Sequence, residues 1–540
     1  MAKPLFKIWS LFFLFFGWAT GALATVVDTG QTHCYDNRQQ TPCPAVGEPF
    51  YGQDAHYAAA QPRYRDGGGG TVHDLNTGLV WSKRVDARKL SLLEAQPLAK
   101  AMTLGGYSDW RVPSIKELYS LIDFRGNTGF GGAPMGGGSV PDNAIPFINT
   151  DSFDFRFGDL TAGERYIDAQ WLTTTHYVST TMDGAKTLFG VNFADGRIKG
   201  YGYHHPNRRR PEKKFYVRYV RGTPYGDNDF IDRGDGTVLD RSTGLVWMKR
   251  DSGAGMDWQQ ALAFCEGSTH AAKGDWRLPN AKELQGIVDY RRSPDSSRSA
   301  ALDPLLQISS ITNEAGQRDY PYFWSSTTHQ DGPRPAAQAV YVAFGRALGR
   351  MYGEVMDVHG AGAQRSDPKA NFGGRFGGQQ ERFRGPQGDA LRIENHVRCV
   401  RGGGVKAVRQ PVATATSGYP HTLRIEGETR TSGGSQRRGA LGRGMGPGGF
   451  DPFEGDGGGQ GGAARFVQRL DRNSDGKISR WEFDGPSGHF DRFDRNGDGF
   501  ISADEAPSGP PPGRGGFGGP LGGGPSGGGF GGPPGGGGFF

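Results

Sequence analysis

Apolar and polar positions along this chain fall into a short-period pattern that occurs twice. Thr71-Val72-His73-Asp74 and Leu79-Val80-Trp81 are two short β runs flanking Asn76-Thr77-Gly78. A connection this tight needs positive φ, which glycine adopts without penalty, so the segment reads as a hairpin. A helix is expected next. Ser91 and Glu94 have capping-box spacing, although Pro97 weakens the helix they would start. A second, clearer helix begins at Ser114-x-x-Glu117, with Leu118, Leu121 and Ile122 as its apolar face. The same order recurs downstream. Thr237-Val238 and Leu245-Val246-Trp247 form the hairpin. Asp257 caps a helix with Trp258, Ala261, Leu262 and Cys265 at i, i+3, i+4 and i+7. Asn280-x-x-Glu283 caps another carrying Leu284, Ile287 and Val288. Short strands and long glycine-rich loops make up the rest, an α+β pattern with two helices and a mostly antiparallel sheet per copy.

The correspondence is a repeat. Thr71–Trp81 matches Thr237–Trp247 at an offset of 166, and Asp109-Trp110-Arg111-Val112-Pro113 matches Asp275-Trp276-Arg277-Leu278-Pro279. Lys116-Glu117-Leu118 matches Lys282-Glu283-Leu284, and the stretch from Trp171 to His176 matches that from Trp324 to His329. Phe215–Arg221 parallels Asn395–Arg401. The copies span residues 49–222 and 225–402, too long a period for a solenoid.

Composition changes the picture at the two ends. The 540 residues include 91 Gly and 34 Pro, and hydrophobic content is only 35%. Residues 403–462 and 507–540 concentrate the glycine and proline and are expected to be disordered linker and tail. At the start, Lys3 and Lys7 precede an apolar run from Ile8 to Trp18, and Ala22-Leu23-Ala24 offers small residues for cleavage. Residues 1–24 therefore read as a secretory signal peptide, followed by an N-terminal segment at 25–48. The run is too short to span a bilayer, and no other long apolar segment predicts a transmembrane helix in the mature chain. The expected location is exported: periplasmic, cell-surface or secreted. A formal charge of +6 in such a compartment suits anionic glycans or lipids; no nucleic-acid partner is expected. Four cysteines suggest two disulfides. Cys265 lies opposite Ala99 and Cys399 opposite Tyr219, so the second copy has both cysteines and the first has neither. Paired presence predicts Cys265–Cys399, the alternative being two unrelated buried thiols. Cys34 and Cys43 would then close a small loop before the first copy.

These residues resemble the Lcl C-terminal domain family, formerly a domain of unknown function. The resemblance rests on the Thr-Gly-Leu-Val-Trp hairpin, the Asp-Trp-Arg-x-Pro-x-x-x-Glu-Leu segment, Trp324-Ser325-Ser326-Thr327 and the closing Val397-Arg398-Cys399-Val400-Arg401. It covers roughly residues 49–402, and the second copy matches better. It implies tandem C-type-lectin-like folds, an exported location, attachment to sulfated polysaccharide and no catalytic residues.

Near the C-terminal end, Asp471, Asn473, Asp475, Lys477, Ser479 and Glu482 occupy positions 1, 3, 5, 7, 9 and 12 of a twelve-residue EF-hand loop. Asp494, Asn496, Asp498, Phe500, Ser502 and Glu505 do the same 23 residues later. Ca²⁺ is a hard cation taking about seven oxygens, which accounts for the side-chain oxygens at 1, 3 and 5. Position 7 supplies a backbone carbonyl, position 9 acts through water, and the glutamate at 12 binds with both oxygens; Gly476 and Gly499 permit the turn. Two Ca²⁺ ions are expected, held by a compact helical pair at 463–506 with weak affinity of roughly 10⁻⁴–10⁻³ M.

Two insertions precede the closing strand of each copy. One is basic, with Arg208, Arg209, Arg210, Lys213 and Lys214; the other, 361–390, carries Arg375, Arg382 and Arg384 among glycines. Matching positions make them candidate loops for anionic or sulfated polysaccharide, against the plainer reading of solvated loops. His176 and His329 recur in register and are read as surface polar residues beside the tryptophan. No HExxH, CxxC or P-loop pattern is present. The favoured function is an exported, adhesin-like calcium-binding protein; the alternative is an exported enzyme on a formylglycine-generating-enzyme-like fold.

Overall fold

A computed structural model describes residues 26–129, 139–206, 212–370, 383–385, 387–408 and 492–506, with Val467, Leu470, Asp471, 476–479, Phe483 and Phe490. Residues 1–25, read above as a leader, the linker core, residues 507–540 and Arg208, Arg209 and Arg210 lie outside the described residues, as do Asn473, Asp475 and Glu482. The chain divides into two units, Met1–Thr431 and Ser432–Phe540.

In the first unit both hairpins form. Thr71–Asp74 pairs antiparallel with Val80–Ser82, placing Val72 opposite Trp81, and Gly78 takes φ +74°. Thr237–Asp240 pairs with Leu245–Met248, placing Val238 opposite Trp247. The closing strand of each copy returns to its own hairpin, Val220 to Trp81 and Val400 to Trp247. Each hairpin thus ends up in a four-stranded sheet.

Four helices follow the expected order: α1 at Leu92–Ala101, α2 at Ile115–Ser120, α3 at Trp258–Glu266 and α4 at Ala281–Gly286. Every one starts with a reciprocal capping box, formed by Ser91, Ser114, Asp257 and Asn280 with the residue three places on. α1 runs through Pro97. α2 and α4 have only six residues each, so Leu121, Ile122, Ile287 and Val288 lie past the helix ends, yet all are buried.

The residues that define the repeat are structural. Arg277 donates Nη1 and Nη2 to both oxygens of Glu283 at 2.6 Å, and Arg111 does so to Glu117 at 2.7 and 2.5 Å. The arginine of Asp-Trp-Arg thereby locks the capping glutamate of the next helix, six residues away. Arg218 and Arg398, both buried, donate to main-chain carbonyls: Ser82, Lys83 and Asp154 in one copy, Met248, Lys249 and Gln307 in the other. A buried guanidinium that donates to three carbonyls pins two separate stretches of chain at once. The Cys265–Cys399 disulfide ties α3 to the segment leading into the closing strand, and Cys34–Cys43 closes the small N-terminal loop.

The copies do not fold as separate bodies. One seven-stranded sheet runs through both, joined where Ile198 of the strand Arg197–His204 faces Gln364 of Gln364–Pro368. One buried apolar cluster draws on both copies, from Val72 and Trp171 to Trp247 and Phe344. The N-terminal segment, placed before the first copy on sequence, packs on both copies. On the first, the Thr29 carbonyl accepts from Phe124 N–H at 2.8 Å and Gln31 Nε2 donates to the Phe124 carbonyl at 3.3 Å. On the second, Gln31 Nε2 donates to the carbonyl of Thr328 at 2.9 Å, and its Oε1 accepts from the Thr328 N–H at 2.9 Å. Buried Asp54 accepts from Thr29 at 2.8 Å and from Thr327 at 2.5 Å.

Candidate functional site

In the second unit the described residues hold one complete calcium loop. Asp494 accepts N–H bonds from Gly497 at 2.9 Å and Gly499 at 3.0 Å, and Gly499 takes φ +86° to bring its N–H inward. Asn496 accepts from Asp498 N–H and Asp498 from Phe500 N–H, at 2.8 and 2.9 Å. These bonds turn the side-chain oxygens of positions 1, 3 and 5 to one side of a tight loop. Glu505 reaches back from position 12: Oε1 accepts from the N–H groups of Arg495 and Asn496 at 3.1 Å, Oε2 from Ser502 N–H and Oγ at 3.0 and 2.7 Å. The bonds from Ser502, then those from Asn496 and Arg495, hold its carboxyl down at about 2, so it is an anion at any pH near neutral. The first loop is described at Asp471, Lys477 and Ser479, and Asp471 Oδ2 accepts from Gly476 N–H at 2.7 Å. The two loops are stitched by a two-residue ladder, Ile478 to Ile501 and Ser479 to Phe500. Ile478, Ile501, Phe490, Val467 and Leu470 form a small core beneath it. An all-oxygen donor set with an inward glycine N–H and an anionic position 12 fits Ca²⁺.

The first unit holds a cleft of about 640 Å³ that both copies line. The ends of the two insertions meet here: Lys213 comes from the first, and Arg384 and Gln387 from the second. Lys213 does not project into solvent, as an insertion outside the repeated core would require. Its ammonium lies 5.5 Å from the ring centre of Tyr201 and 5.7 Å from that of buried Phe215, and burial lowers its pKa. Lys214 is exposed and paired with Glu94 at 2.7 Å. The expected cluster of five cations therefore splits among its described members, with Lys213 turned to the cleft and Lys214 to solvent. Arg384 sits on the short strand Phe383–Arg384, which pairs with Asp389–Ala390.

Ion pairs line the rest of the cleft. Arg197 binds Asp331 at 2.5 Å, Lys199 binds Asp195 at 2.5 Å, Arg165 binds Asp168 at 2.7 Å, and Arg365 binds Asp389. Burial pushes Lys199 down to about 8 and Asp367 up to about 8. Sequence reasoning missed these residues because neither copy alone contains them as a group; Ile198 against Gln364 brings them together.

The histidine pair separates. His176 is exposed, whereas His329 is fully buried, its Nε2 at 2.9 Å from the Asp195 carbonyl. The expectation of two surface histidines fails for His329, because the strand Tyr322–His329 is buried at every position.

Comparison with known families finds the Lcl C-terminal domain at residues 70–221 and again at 236–358, and an EF hand at 489–505. No curated protein matches, and no solved structure matches.

Proposed function

The chain belongs to the Lcl C-terminal domain family, and on that premise we propose that it is an exported, adhesin-like protein whose paired lectin-like repeats hold acidic glycans. Its EF-hand region makes it a calcium-binding protein; two ions, one per loop, is the reading supported by the twelve-residue spacing from Asp471 and again from Asp494. The observation that carries the glycan reading is the convergence of Lys213 and Arg384, from equivalent insertions of the two copies, on one cleft. The residues shared by the repeats are consumed in holding the fold, as with Arg218 and Arg398. That leaves recognition to the insertions, where the copies differ. Export is supported by the leader-like first 24 residues and by two disulfides, which persist in oxidising compartments. No helix among the described residues is long and apolar enough to cross a membrane. The enzymatic alternative needs reactive thiols, and Cys265 and Cys399 are joined to each other, which favours the binding reading.

The test is a glycan array probed with the mature protein, followed by heparin-column retention over a salt gradient. Binding to acidic glycans that weakens with salt is expected, since exposed charges are screened over about 10 Å at 0.1 M. Replacing Arg208, Arg209 and Arg210 with Ser should shift elution to lower salt. An array without acidic hits would overturn the reading.

A further inference from the structure

The cleft at the seam of the repeats carries an unusual balance of charge. Among its lining residues, four carboxylates are already held by cations through the pairs of Arg197, Lys199, Arg165 and Arg365. Lys213 and Arg384 are different: neither makes an ion pair among the described residues. The cleft thus offers two uncompensated positive charges inside a ring of neutralised ones. It also holds spare hydrogen-bonding capacity. The hydroxyl of Tyr201, Oδ1 of Asp195 and Nε of Arg197 and of Arg365 are buried without a partner among the described residues, and all four residues line the cleft. Buried polar atoms of this kind are few in native proteins and ask for a reason. One acceptor, two donors and one hydroxyl that can do either form a set that a polyhydroxylated ring satisfies. At about 640 Å³ the cleft falls within the ~300–1,000 Å³ typical of small-ligand sites.

We propose that this cleft takes a carboxylated sugar, a hexuronate unit of a glycan, with its carboxylate on Lys213 and Arg384 and its hydroxyls on the unpartnered polar atoms of Tyr201, Asp195, Arg197 and Arg365. A densely sulfated segment is the poorer occupant. It brings several negative charges to a site where, apart from Lys213 and Arg384, the lining cations are already paired. The inference rests on the acidic-glycan reading above and narrows it. Sulfated polymers are left to the basic run Arg208-Arg209-Arg210, and the seam discriminates by a single carboxylate.

Calorimetric titration of the mature protein with a glucuronate-terminated disaccharide, and with its neutral glucose-terminated counterpart, tests this. The uronate should bind at least about tenfold more tightly, a difference of about 1.4 kcal/mol. Lys213→Gln and Arg384→Gln should each remove most of that preference, while Lys213→Arg keeps it. Lys213 contacts core aromatics, so Arg384→Gln on an edge strand provides the arm least exposed to misfolding. Equal binding of the two disaccharides, or an undiminished preference in Arg384→Gln, overturns the proposal. Heparin retention with no uronate binding overturns it and leaves the broader glycan reading standing; loss of both defeats the two together.

Discussion

Lys116 and Lys282, 166 residues apart in sequence, each cap the other copy's helix. Lys116 Nζ donates to the carbonyl of Gly286, the last residue of α4, at 2.7 Å; Lys282 Nζ donates to that of Ser120, the last residue of α2, at 2.9 Å. Lys116 also donates to Gly226 O and Asn228 Oδ1 at 2.8 Å, and Lys282 to Asp28 O at 2.9 Å. Helix C-termini carry unsatisfied carbonyls that favour a cation. The repeat therefore supplies each copy with the cap its partner lacks, and the reciprocal exchange fastens the two copies together.

Removing either ammonium should loosen the seam. Lys282→Met keeps the apolar stem but leaves buried carbonyls of Ser120 and Asp28 unpaired, at a cost of about 1–3 kcal/mol per unsatisfied group. Urea unfolding of the mature protein, followed by tryptophan fluorescence, should show a lower midpoint for Lys282→Met. Lys116→Met should behave alike, although Asn228 can reorient toward water. A midpoint unchanged in both would mean that water replaces the lysines without loss.

The disulfides should differ in weight. Cys265–Cys399 closes a separation of 134 residues and Cys34–Cys43 one of nine. In the chain-entropy model these contribute about 5 and about 3 kcal/mol. Replacing Cys265 and Cys399 together by Ala should lower thermal stability more than replacing Cys34 and Cys43. The reverse order in calorimetry would show that the N-terminal loop, which packs on the second copy, matters through its contacts rather than its closure.

These cases show what was legible in the sequence. The hairpins, the four capped helices and both disulfide pairings follow from local spacing and from comparing Cys265 with Ala99 and Cys399 with Tyr219, because such signals are carried by neighbouring or register-matched residues. The seam was not legible. Lys116 and Lys282 stood out only as matched letters, and nothing local says that each amine crosses to the other copy. The cleft was hidden for the same reason: Lys213 and Arg384 lie 171 positions apart and meet only through the pairing of Ile198 with Gln364. His329 was misread because its strand is buried on both faces, so alternation gave no warning.

The buried carboxyl groups of the first unit should withdraw stability as pH rises from about 6.5 to about 8. Burial raises the carboxyl groups of Asp54 and Asp357 to about 7 and that of Asp367 to about 8, with Asp28 adding to the effect at Asp54. A raised carboxyl holds its proton in the folded state after the unfolded chain has released it near pH 4. Its contribution is complete below that pH and is lost as pH climbs through the folded value. Buried His329 and His359 act oppositely, at about 3 and about 4, since burial disfavours their charged form. They raise stability with pH only up to about 6.5, where the unfolded imidazole also becomes neutral. Above 6.5 the carboxyls withdraw on the order of 1 kcal/mol each, while buried Lys116, Lys199 and Lys282, lowered by burial to about 8, and Lys369, lowered further, add stability in the opposite sense as they lose their protons before the unfolded chain does. Differential scanning calorimetry of the unmodified protein beside Asp357→Asn and Asp367→Asn isolates the carboxyl contribution. Each substitution should raise the melting temperature at pH 8 relative to that at pH 6.5 when compared with the unmodified protein. Profiles that run parallel in all three would contradict the assignment.

Calcium should govern the second unit and leave the first alone. Its core is small, built on Val467, Leu470, Ile478, Phe490 and Ile501, and a core of this size supplies little stability without a metal or other staple. Without the ion, Asp494, Asp498 and Glu505 bring three carboxylates into one loop. The bonds from Ser502, Asn496 and Arg495 already occupy both Glu505 oxygens and keep them ionised. Binding must therefore exchange or stretch those bonds as Glu505 turns its oxygens to the ion, which argues for affinity at the weak end, about 10⁻⁴–10⁻³ M. Hydrogen exchange with and without EDTA separates the units. The amides of Ile478 and Ile501, which join the two loops, should lose protection on chelation, while those of Val246 and Val400 in the first unit keep theirs. Glu505→Gln keeps the size of the side chain and removes its charge; it should weaken calcium binding by at least about tenfold in calorimetry, equivalent to 1.4 kcal/mol. It should also reproduce the effect of EDTA at Ile501 in calcium-containing buffer. Protection at Ile501 that is indifferent both to EDTA and to Glu505→Gln would make the loop a stable turn that does not depend on the ion.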